Sequence, residues 1–218
     1  SLGMFYSAFT QFSGFRVNAD EYKLMGLAPY GKPKYKEKIL KNIIKINDDG
    51  SYKLNLEYFQ FHFGYNTISP NFEKLFGQKI RKKDEDIREI DCDLAASAQS
   101  VLDDIFLKIA KTAKKITGSK NVVLAGGVAL NCVSNGKLSE SKIFQNIWVQ
   151  PASGDAGGAL GAALYLSYLN AHDIKNKTSQ EGSFFGPSYS DKEIKTYLDK
   201  MKITYSEHND EKTLINEI

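Results

Sequence analysis

The sequence predicts an α/β fold, in which short buried strands alternate with helices. Two apolar runs, 121–125 and 146–150, have the composition of buried parallel strands, and each leads through a glycine-containing turn into a helical segment. Before them, Asp91–Thr117 spaces its apolar residues three and four apart, as an amphipathic helix does. Because ligands bind at the carboxyl ends of strands in such sheets, both glycine turns occupy positions typical of a binding site.

The elements before residue 50 are predicted from composition and capping residues. Met4–Phe15 is rich in aromatic residues, which favour strands, so we expect one or two strands there. Asp20 is placed to cap a short helix that begins at Glu21 and stops at Gly26 or Pro29. Lys34–Ile46 has the apolar spacing of a mostly exposed helix.

The middle of the chain contains the clearest helix. A tight Asp-Asp-Gly turn leads into the short strand Tyr52–Leu54, and residues 55–81 show no clear pattern. The helix Asp91–Thr117 carries one continuous apolar stripe, and Gly118 follows it where a C-cap glycine is expected. The stripe consists of Leu94, Ala98, Val101, Ile105, Ile109 and Ala113.

The last quarter of the chain divides into a helix, a polar stretch and a second structured segment. A small-residue helix is predicted over Ala159–Ala171, after which the composition becomes polar, as in a linker. Structure is expected to resume at Gly186. Ser190 is placed to cap the helix Asp191–Met201, and Lys202–Ser206 is predicted to be a strand.

Composition excludes several classes of protein. The 218 residues are 42% hydrophobic, enough to form a core, and the net charge of +3 is too small for a nucleic-acid-binding surface. No apolar stretch approaches the roughly 20 residues of a membrane span. The two cysteines, Cys92 and Cys132, lack metal-ligand spacing and could form one disulfide at most. We therefore expect a cytoplasmic protein whose partners include neither nucleic acid nor membrane.

The first glycine turn has the residues of an anion-binding site. Gly126 and Gly127 lie between a predicted strand and a predicted helix, whose first N–H groups could bind phosphate. Asn131 follows about one helical turn later and can both donate and accept hydrogen bonds. The pattern alone leaves two interpretations open: a nucleotide or phosphate site, and close packing of helix on strand.

The second glycine turn adds a carboxylate. Asp155 follows Gly154 among small residues, an environment that suits a metal held against phosphates, because hard cations prefer oxygen ligands. The same Asp155 could equally be the N-cap of the next helix. The histidines have no partner at metal-ligand spacing, which favours surface or structural roles for His62, His172 and His208.

Three segments, taken in order, resemble the NodU/CmcH/TobZ family of carbamoyltransferases. They are Glu21–Gly31, Leu124–Leu138 and Pro151–Leu164, and the opening segment Leu2–Phe15 also fits. The resemblance extends to about Leu198. Because the chain starts within an apolar segment and stops soon after its last predicted helix, we expect a fragment of a longer enzyme.

The resemblance implies an architecture and a reaction. Residues 1–172 would be the carboxyl-terminal part of an actin-like/sugar-kinase (ribonuclease H-like) ATPase domain, 173–185 a linker, and 186–218 the start of a YrdC-like domain. In the family, the YrdC-like domain makes carbamoyl-adenylate from carbamoyl phosphate and ATP. The main domain then transfers the carbamoyl group to the hydroxyl of a small-molecule acceptor. We expect the fragment alone to be inactive. Whether the protein forms a homodimer is left open.

The resemblance also assigns roles to individual residues. It places the nucleotide phosphates at the first glycine turn, a divalent metal (iron or magnesium) on Asp155, and further nucleotide contacts on other residues. The residues expected at the nucleotide are Gly126, Gly127, Val128, Asn131, Gly154, Glu21 and Lys23. The family's metal site also uses a His-x-x-x-His pair and a second Asp, for which this sequence has no counterpart.

Two other functions are compatible with the same segments. One is that of a relative that transfers threonylcarbamoyl groups in tRNA modification, and the other is that of a non-catalytic nucleotide-binding module of the same superfamily. Pro151–Leu164 and the continuation Gly186–Ser190 favour the O-carbamoyltransferase, and the presence of Asp155 argues against a non-catalytic module.

Overall fold

The fold is mixed α/β, mostly helical, with two small sheets. The computed structural model describes residues 1–170, 180, 182–184 and 186–217. The helices are α1 Leu2–Phe12, α2 Glu21–Leu27, α3 Lys36–Asn42, α4 Pro70–Phe76, α5 Glu89–Thr117, α6 Cys132–Glu140, α7 Gly157–Asn170, α8 Asp191–Lys200 and α9 Glu211–Glu217. The strands are β1 Ile44–Ile46, β2 Tyr52–Leu54, β3 Asn121–Leu124 and β4 Asn146–Val149, and 3-10 turns span Ala28–Tyr30, Leu56–Tyr58 and Gly127–Leu130.

The chain divides into two compact units, residues 1–174 and 175–218. The first unit contains both sheets and α1 to α7, and the second contains α8 and α9. No helix in the described part of the chain combines the length and the apolarity needed to cross a membrane.

Helix α5 is the central element of the first unit, and its prediction from apolar spacing is confirmed. It has 29 residues and ends at Gly118, whose left-handed conformation (φ 65°) is the predicted C-cap. Its apolar stripe is buried from Leu94 to Ile105. At its start, the Asp91 carboxylate accepts a hydrogen bond from the Arg88 N–H at 3.0 Å, which closes the first turn.

The prediction of strands at Met4–Phe15 is wrong, because this segment forms α1. Phe5, Phe9 and Phe12 are fully buried on one face of the helix. The ring of Phe9 packs edge-on against that of Phe72 in α4, with centroids 5.1 Å apart. Aromatic residues favour strands on average, but the spacing of four and three that these rings share is helical, and packing in the core decides the outcome.

The helix predicted over Lys34–Ile46 is only partly present. Helix α3 stops at Asn42, and Ile44–Ile46 pairs antiparallel with the correctly predicted strand Tyr52–Leu54. The branched isoleucines fit a pleated strand better than a helix, and the tight turn that follows brings the two strands together.

The second sheet confirms the two strands predicted beside the glycine turns. β3 and β4 are parallel, with Val122 opposite Ile147. One face packs on the cluster that contains Leu138 of α6, whereas the other leaves Val123 66% and Trp148 41% exposed. Because the strands are parallel, the turns that follow them leave the sheet at the same edge.

The second unit confirms one helix and contradicts one strand. Ser190 caps α8: its side chain accepts the N–H of Glu193, and the Glu193 carboxylate accepts the N–H of Ser190. The strand predicted at Lys202–Ser206 is absent from these described residues; instead the Ile203 N–H bonds back to the Leu198 carbonyl, after a left-handed Lys202. Most of the predicted linker, 173–185, lies outside the described residues, and the domain boundaries stay a prediction.

Candidate functional site

The two glycine turns lie side by side at the carboxyl edge of the β3–β4 sheet. The Gly126 N–H donates to the Ser153 carbonyl at 2.7 Å, which joins the first turn directly to the second. The Leu130 side chain lies beside Gly154. These contacts join two of the three segments that the sequence singled out, and the third, Glu21–Gly31, contacts the first turn's segment through Met25 and Cys132.

The first turn requires glycine at one position and leaves open space at two. Gly126 has φ 97° and ψ 157°, a conformation that is essentially restricted to glycine. A Cβ atom added at Gly126 or at Gly127 would meet nothing within 4 Å among the described residues, and both glycines are exposed. The glycines are therefore not explained by close packing of helix on strand, and the space beside them is open to a ligand.

Backbone N–H groups in the first turn are available to an anion. In the 3-10 turn Gly127–Leu130, the Ala129 N–H bonds to the Gly126 carbonyl and the Asn131 N–H to the Val128 carbonyl. The N–H groups of Gly127 and Val128 precede the first of these bonds, so they have no acceptor within the turn. Two adjacent donors at the start of a helical turn are suited to a phosphate oxygen.

Asn131, expected near the nucleotide, has its side chain inside the protein. It is buried at the start of α6, where its Oδ1 accepts the Ser134 N–H at 2.9 Å. Its amide also exchanges two hydrogen bonds with the amide of Gln99 in α5. Asn131 thus connects the glycine turn to α5, a role that its spacing in the sequence does not reveal.

A buried polar network continues from this amide pair. The Asp103 carboxylate accepts hydrogen bonds from Gln99 Nε2 at 2.8 Å and Ser134 Oγ at 2.6 Å, and it forms an ion pair with Lys137. The Tyr6 hydroxyl donates to Gln99 Oε1 at 2.8 Å. Burial raises the pKa of Tyr6 well above its usual range, because it disfavours the phenolate. The network joins α1, α5 and α6 behind the first glycine turn.

Helix α2 lies near the turn, but the two residues predicted from it have partners of their own. Met25 contacts Cys132, the first residue of α6, with the two sulfur atoms 3.8 Å apart. The Glu21 carboxylate accepts hydrogen bonds from the Ser7 hydroxyl and the Asn18 N–H, both at 2.8 Å. Lys23 forms an ion pair with Asp20 at 2.9 Å, and this contact raises the pKa of Lys23.

The end of the Glu21–Gly31 segment is fixed onto α5. The Asp93 carboxylate accepts the Lys32 N–H at 2.8 Å and pairs with Lys34 Nζ at 2.7 Å. Burial on its own would raise the pKa of Asp93, but the hydrogen bonds from Lys34 and Lys32 outweigh it and lower that pKa. These contacts give the segment a structural role.

The second turn presents an exposed carboxylate. Asp155 is exposed, and its side chain has no hydrogen bond or ion pair within the described residues. The first N–H groups of α7 bond back into the turn: Gly157 to the Gly154 carbonyl at 3.1 Å, and Gly158 to the Asp155 carbonyl at 3.0 Å. The start of α7 is therefore a weaker anion site than the first turn.

Ser153 is a residue of the second turn that was not among the site residues predicted from the sequence. Its hydroxyl is buried between the two turns and has no hydrogen-bond partner in the described part of the chain. Buried polar groups are almost always partnered, but this hydroxyl is closed off from solvent, so a ligand at the turns would reach it only after a local movement. Only its place among small residues before Asp155 pointed to it.

The residues fit a nucleotide better than a metal. Among residues 1–170, 180, 182–184 and 186–217, no three His, Cys, Asp or Glu side chains group closely enough to hold a metal ion. Asp155 alone supplies too few oxygen ligands for a divalent cation. The open glycines and the donors of the first turn fit a phosphate-bearing ligand.

Comparison with known proteins gives the family of the chain. The family described as "Carbamoyltransferase N-terminus" matches residues 1–164. The chain belongs to this carbamoyltransferase family. Its relatives include the uncharacterized protein sll1178 of Synechocystis sp., 44% identical over 97% of this chain. They also include the nodulation protein NolNO of Sinorhizobium fredii, 38% identical over 91% of this chain, and NolO of Bradyrhizobium diazoefficiens, 39% identical over 77%.

The chain spans about a third or less of the length of these relatives. It covers 35% of the length of sll1178, 27% of NolNO and 28% of NolO. All three segments on which the resemblance was based lie within the matched residues 1–164. The family inferred from these segments is confirmed.

Proposed function

We propose that this chain is the nucleotide-binding part of an ATP-dependent O-carbamoyltransferase. The match of residues 1–164 to the carbamoyltransferase family carries the proposal. The open glycine turn at the carboxyl edge of a parallel sheet supports it, since nucleotides bind at this location in many α/β proteins. The finer architecture, an actin-like ATPase domain followed by a YrdC-like domain, is part of the same proposal.

The first glycine turn is proposed to bind the nucleotide phosphates. Gly126 gives the turn its conformation, and Gly127 and Val128 supply two N–H donors. Asn131 fixes the end of the turn, and Gly154 borders it from the second turn. Hydrogen-bond donors set in place before binding stabilise phosphate charge at little reorganisation cost.

Roles for the remaining predicted residues are also proposed. Lys23 and Glu21 would shape the rim of the nucleotide site from α2, whose Met25 contacts α6. Asp155 would be one ligand of a divalent metal, iron or magnesium, completed by residues that the described part of this chain does not supply. No step of the proposed reaction is assigned to that metal.

The proposed reaction has two stages. Water first cleaves carbamoyl phosphate to carbamate and inorganic phosphate, and a carbamate oxygen then attacks the α-phosphorus of ATP, which forms carbamoyl-adenylate and displaces pyrophosphate. The hydroxyl oxygen of a small-molecule acceptor then attacks the carbamoyl carbon. The bond from that carbon to the adenylate oxygen breaks, AMP leaves, and the hydroxyl proton is lost. This chain would contribute nucleotide binding, and we propose that it does not turn over alone.

The test uses the protein that contains this chain. It is incubated with ATP, carbamoyl phosphate and a panel of hydroxylated acceptors, and pyrophosphate and the carbamoylated product are measured. We expect pyrophosphate release that depends on carbamoyl phosphate. Its absence would exclude the proposed reaction, and a threonylcarbamoylated product in a parallel incubation with ATP, threonine, bicarbonate and tRNA would instead favour a tRNA-modification relative. The isolated 218-residue chain should bind ATP without turnover.

A further inference from the structure

The amide pair between Gln99 and Asn131 joins the central helix to the candidate phosphate-binding turn. Gln99 Nε2 donates to Asn131 Oδ1 at 3.1 Å, and Asn131 Nδ2 donates to Gln99 Oε1 at 3.0 Å. Both residues are buried, and they are 32 positions apart in the chain. Such a reciprocal pair fixes the position and the rotation of both amide groups.

Three further contacts hold Gln99 in one orientation. Its Oε1 accepts the Tyr6 hydroxyl at 2.8 Å, while its Nε2 donates to Asp103 at 2.8 Å and approaches Ser134 Oγ at 3.2 Å. A flipped amide would set its donor against Tyr6, which donates, and its acceptor against the Asp103 carboxylate. The Gln99 amide therefore has one orientation, and it constrains the side chains that it contacts.

Asn131 transmits this constraint to the turn. Its N–H bonds to the Val128 carbonyl and so closes the 3-10 turn, while its side chain caps α6 through Ser134. The peptide units that carry the Gly127 and Val128 N–H groups lie between two fixed points. One is Gly126, bonded to the second turn, and the other is Asn131.

We propose that Gln99 is a positioning residue for nucleotide binding: through Asn131 it holds in place the backbone that carries the Gly127 and Val128 N–H groups. The inference rests on the nucleotide function proposed above, and it adds a residue to that site from outside the three segments of the resemblance. Gln99 acts through Asn131 and is not a catalytic residue.

The test compares Gln99→Met with Gln11→Met in the protein that contains this chain. Methionine keeps the length of glutamine but removes its hydrogen bonds. Gln11 is a matched control, because its Oε1 accepts the N–H groups of Thr67 and Ile68 and so anchors a different loop to α1. ATP affinity is measured by calorimetry at a temperature where circular dichroism shows every variant to be folded. Hydrogen exchange of the amides in 126–131 is measured without ATP.

We expect Gln99→Met to weaken ATP binding by about tenfold, the equivalent of one well-made hydrogen bond, and to speed exchange in 126–131. Gln11→Met should change neither quantity. Equal effects of the two variants on ATP affinity, or wild-type exchange in the turn of Gln99→Met, would overturn the inference. If the wild-type protein binds no ATP but its turn still responds to Gln99→Met, the positioning role stands and the nucleotide proposal fails for this chain.

A second variant covers the case in which Gln99→Met does not fold. Gln99→Glu keeps an acceptor for Tyr6 and Asn131 but places a carboxylate against that of Asp103. A protonated carboxyl can donate as the glutamine amide does, so ATP affinity relative to wild type should recover as the pH falls. A ratio of affinities that is independent of pH would count against the positioning role.

Discussion

The backbone of Gly31 lies directly against the carbonyl of Cys92 in α5. A Cβ atom at position 31 would lie 2.0 Å from the Cys92 carbonyl oxygen and 2.6 Å from the Asp93 nitrogen. Since both atoms belong to the backbone of a long helix, neither can move aside cheaply. Gly31 is thus the point at which the segment from Glu21 docks on the central helix.

Gly31→Ala is expected to destabilise the fold. The clash should lower the free energy of unfolding by about 1–3 kcal/mol, the usual cost of overpacking. Gly26→Ala in α2 is the control: an added Cβ there meets nothing within 4 Å, and alanine should add about 0.5–1 kcal/mol in a helix. Urea unfolding followed by circular dichroism measures both. Similar effects at the two positions would show that Gly31 does not dock the segment.

The ion pair of Asp93 predicts a loss of stability in acid. Because the folded-state pKa of Asp93 is lowered, its contribution is present at neutral pH and is lost as the pH falls below the ordinary aspartate pKa of about 3.9. Asp93→Asn should therefore be less stable than wild type at neutral pH, and the difference should shrink in acid. Unfolding free energies across that range, with the exposed Asp84→Asn as control, check this. A constant difference would contradict the assignment.

The sequence predicted the elements whose signal is local. The stripe of α5, the Gly118 cap and the apolar strands around the glycine turns each lie in one stretch of chain, and the structure confirms them. The helix α1 was missed because aromatic composition was weighed above the helical spacing of Phe5, Phe9 and Phe12, which bury against α4 and α5. Packing between distant segments decided that element.

The candidate site also has features that could be predicted from the sequence and features that could not. The open glycine turn was predictable, because strand, glycines and helix are consecutive. The hydrogen-bond partners of Asn131 and Glu21 were not predictable. Gln99 reaches Asn131 only once α5 has packed against α6, and Ser7 reaches Glu21 only once α1 has packed against α2. A polar residue in a family motif can thus serve the fold of the site instead of its ligand, and spacing alone does not distinguish the two roles.

Tyr6→Phe tests the buried network through alkaline stability. Burial raises the pKa of Tyr6, so its contribution is fully present below the ordinary tyrosine pKa of about 10 and is lost as the pH rises above it. Tyr6→Phe should cost about 1 kcal/mol at neutral pH, for the hydrogen bond to Gln99, and should show a shallower loss of stability in alkali. The control is Tyr22→Phe at an exposed position, which should keep the wild-type dependence of stability on alkaline pH. If Tyr6→Phe also kept the wild-type dependence, Tyr6 would have to ionise freely in the folded state.

Gly126→Ala tests the conformation of the first turn. Alanine at φ 97° and ψ 157° is strained by about 1–3 kcal/mol, so the turn should relax and displace its Gly127 and Val128 N–H groups. ATP affinity, measured by calorimetry, should fall by about 5- to 150-fold, since 1.4 kcal/mol of strain corresponds to about one decade of affinity.

The matched control is Gly136→Ala in α6. It adds the same methyl group where nothing lies within 4 Å and where the helical backbone accepts alanine. ATP affinity should stay at the wild-type value in this control. Because a Cβ at 126 also meets open space, steric contact within the protein cannot explain a loss at that position. Wild-type affinity in Gly126→Ala would therefore remove the first glycine turn from the nucleotide site.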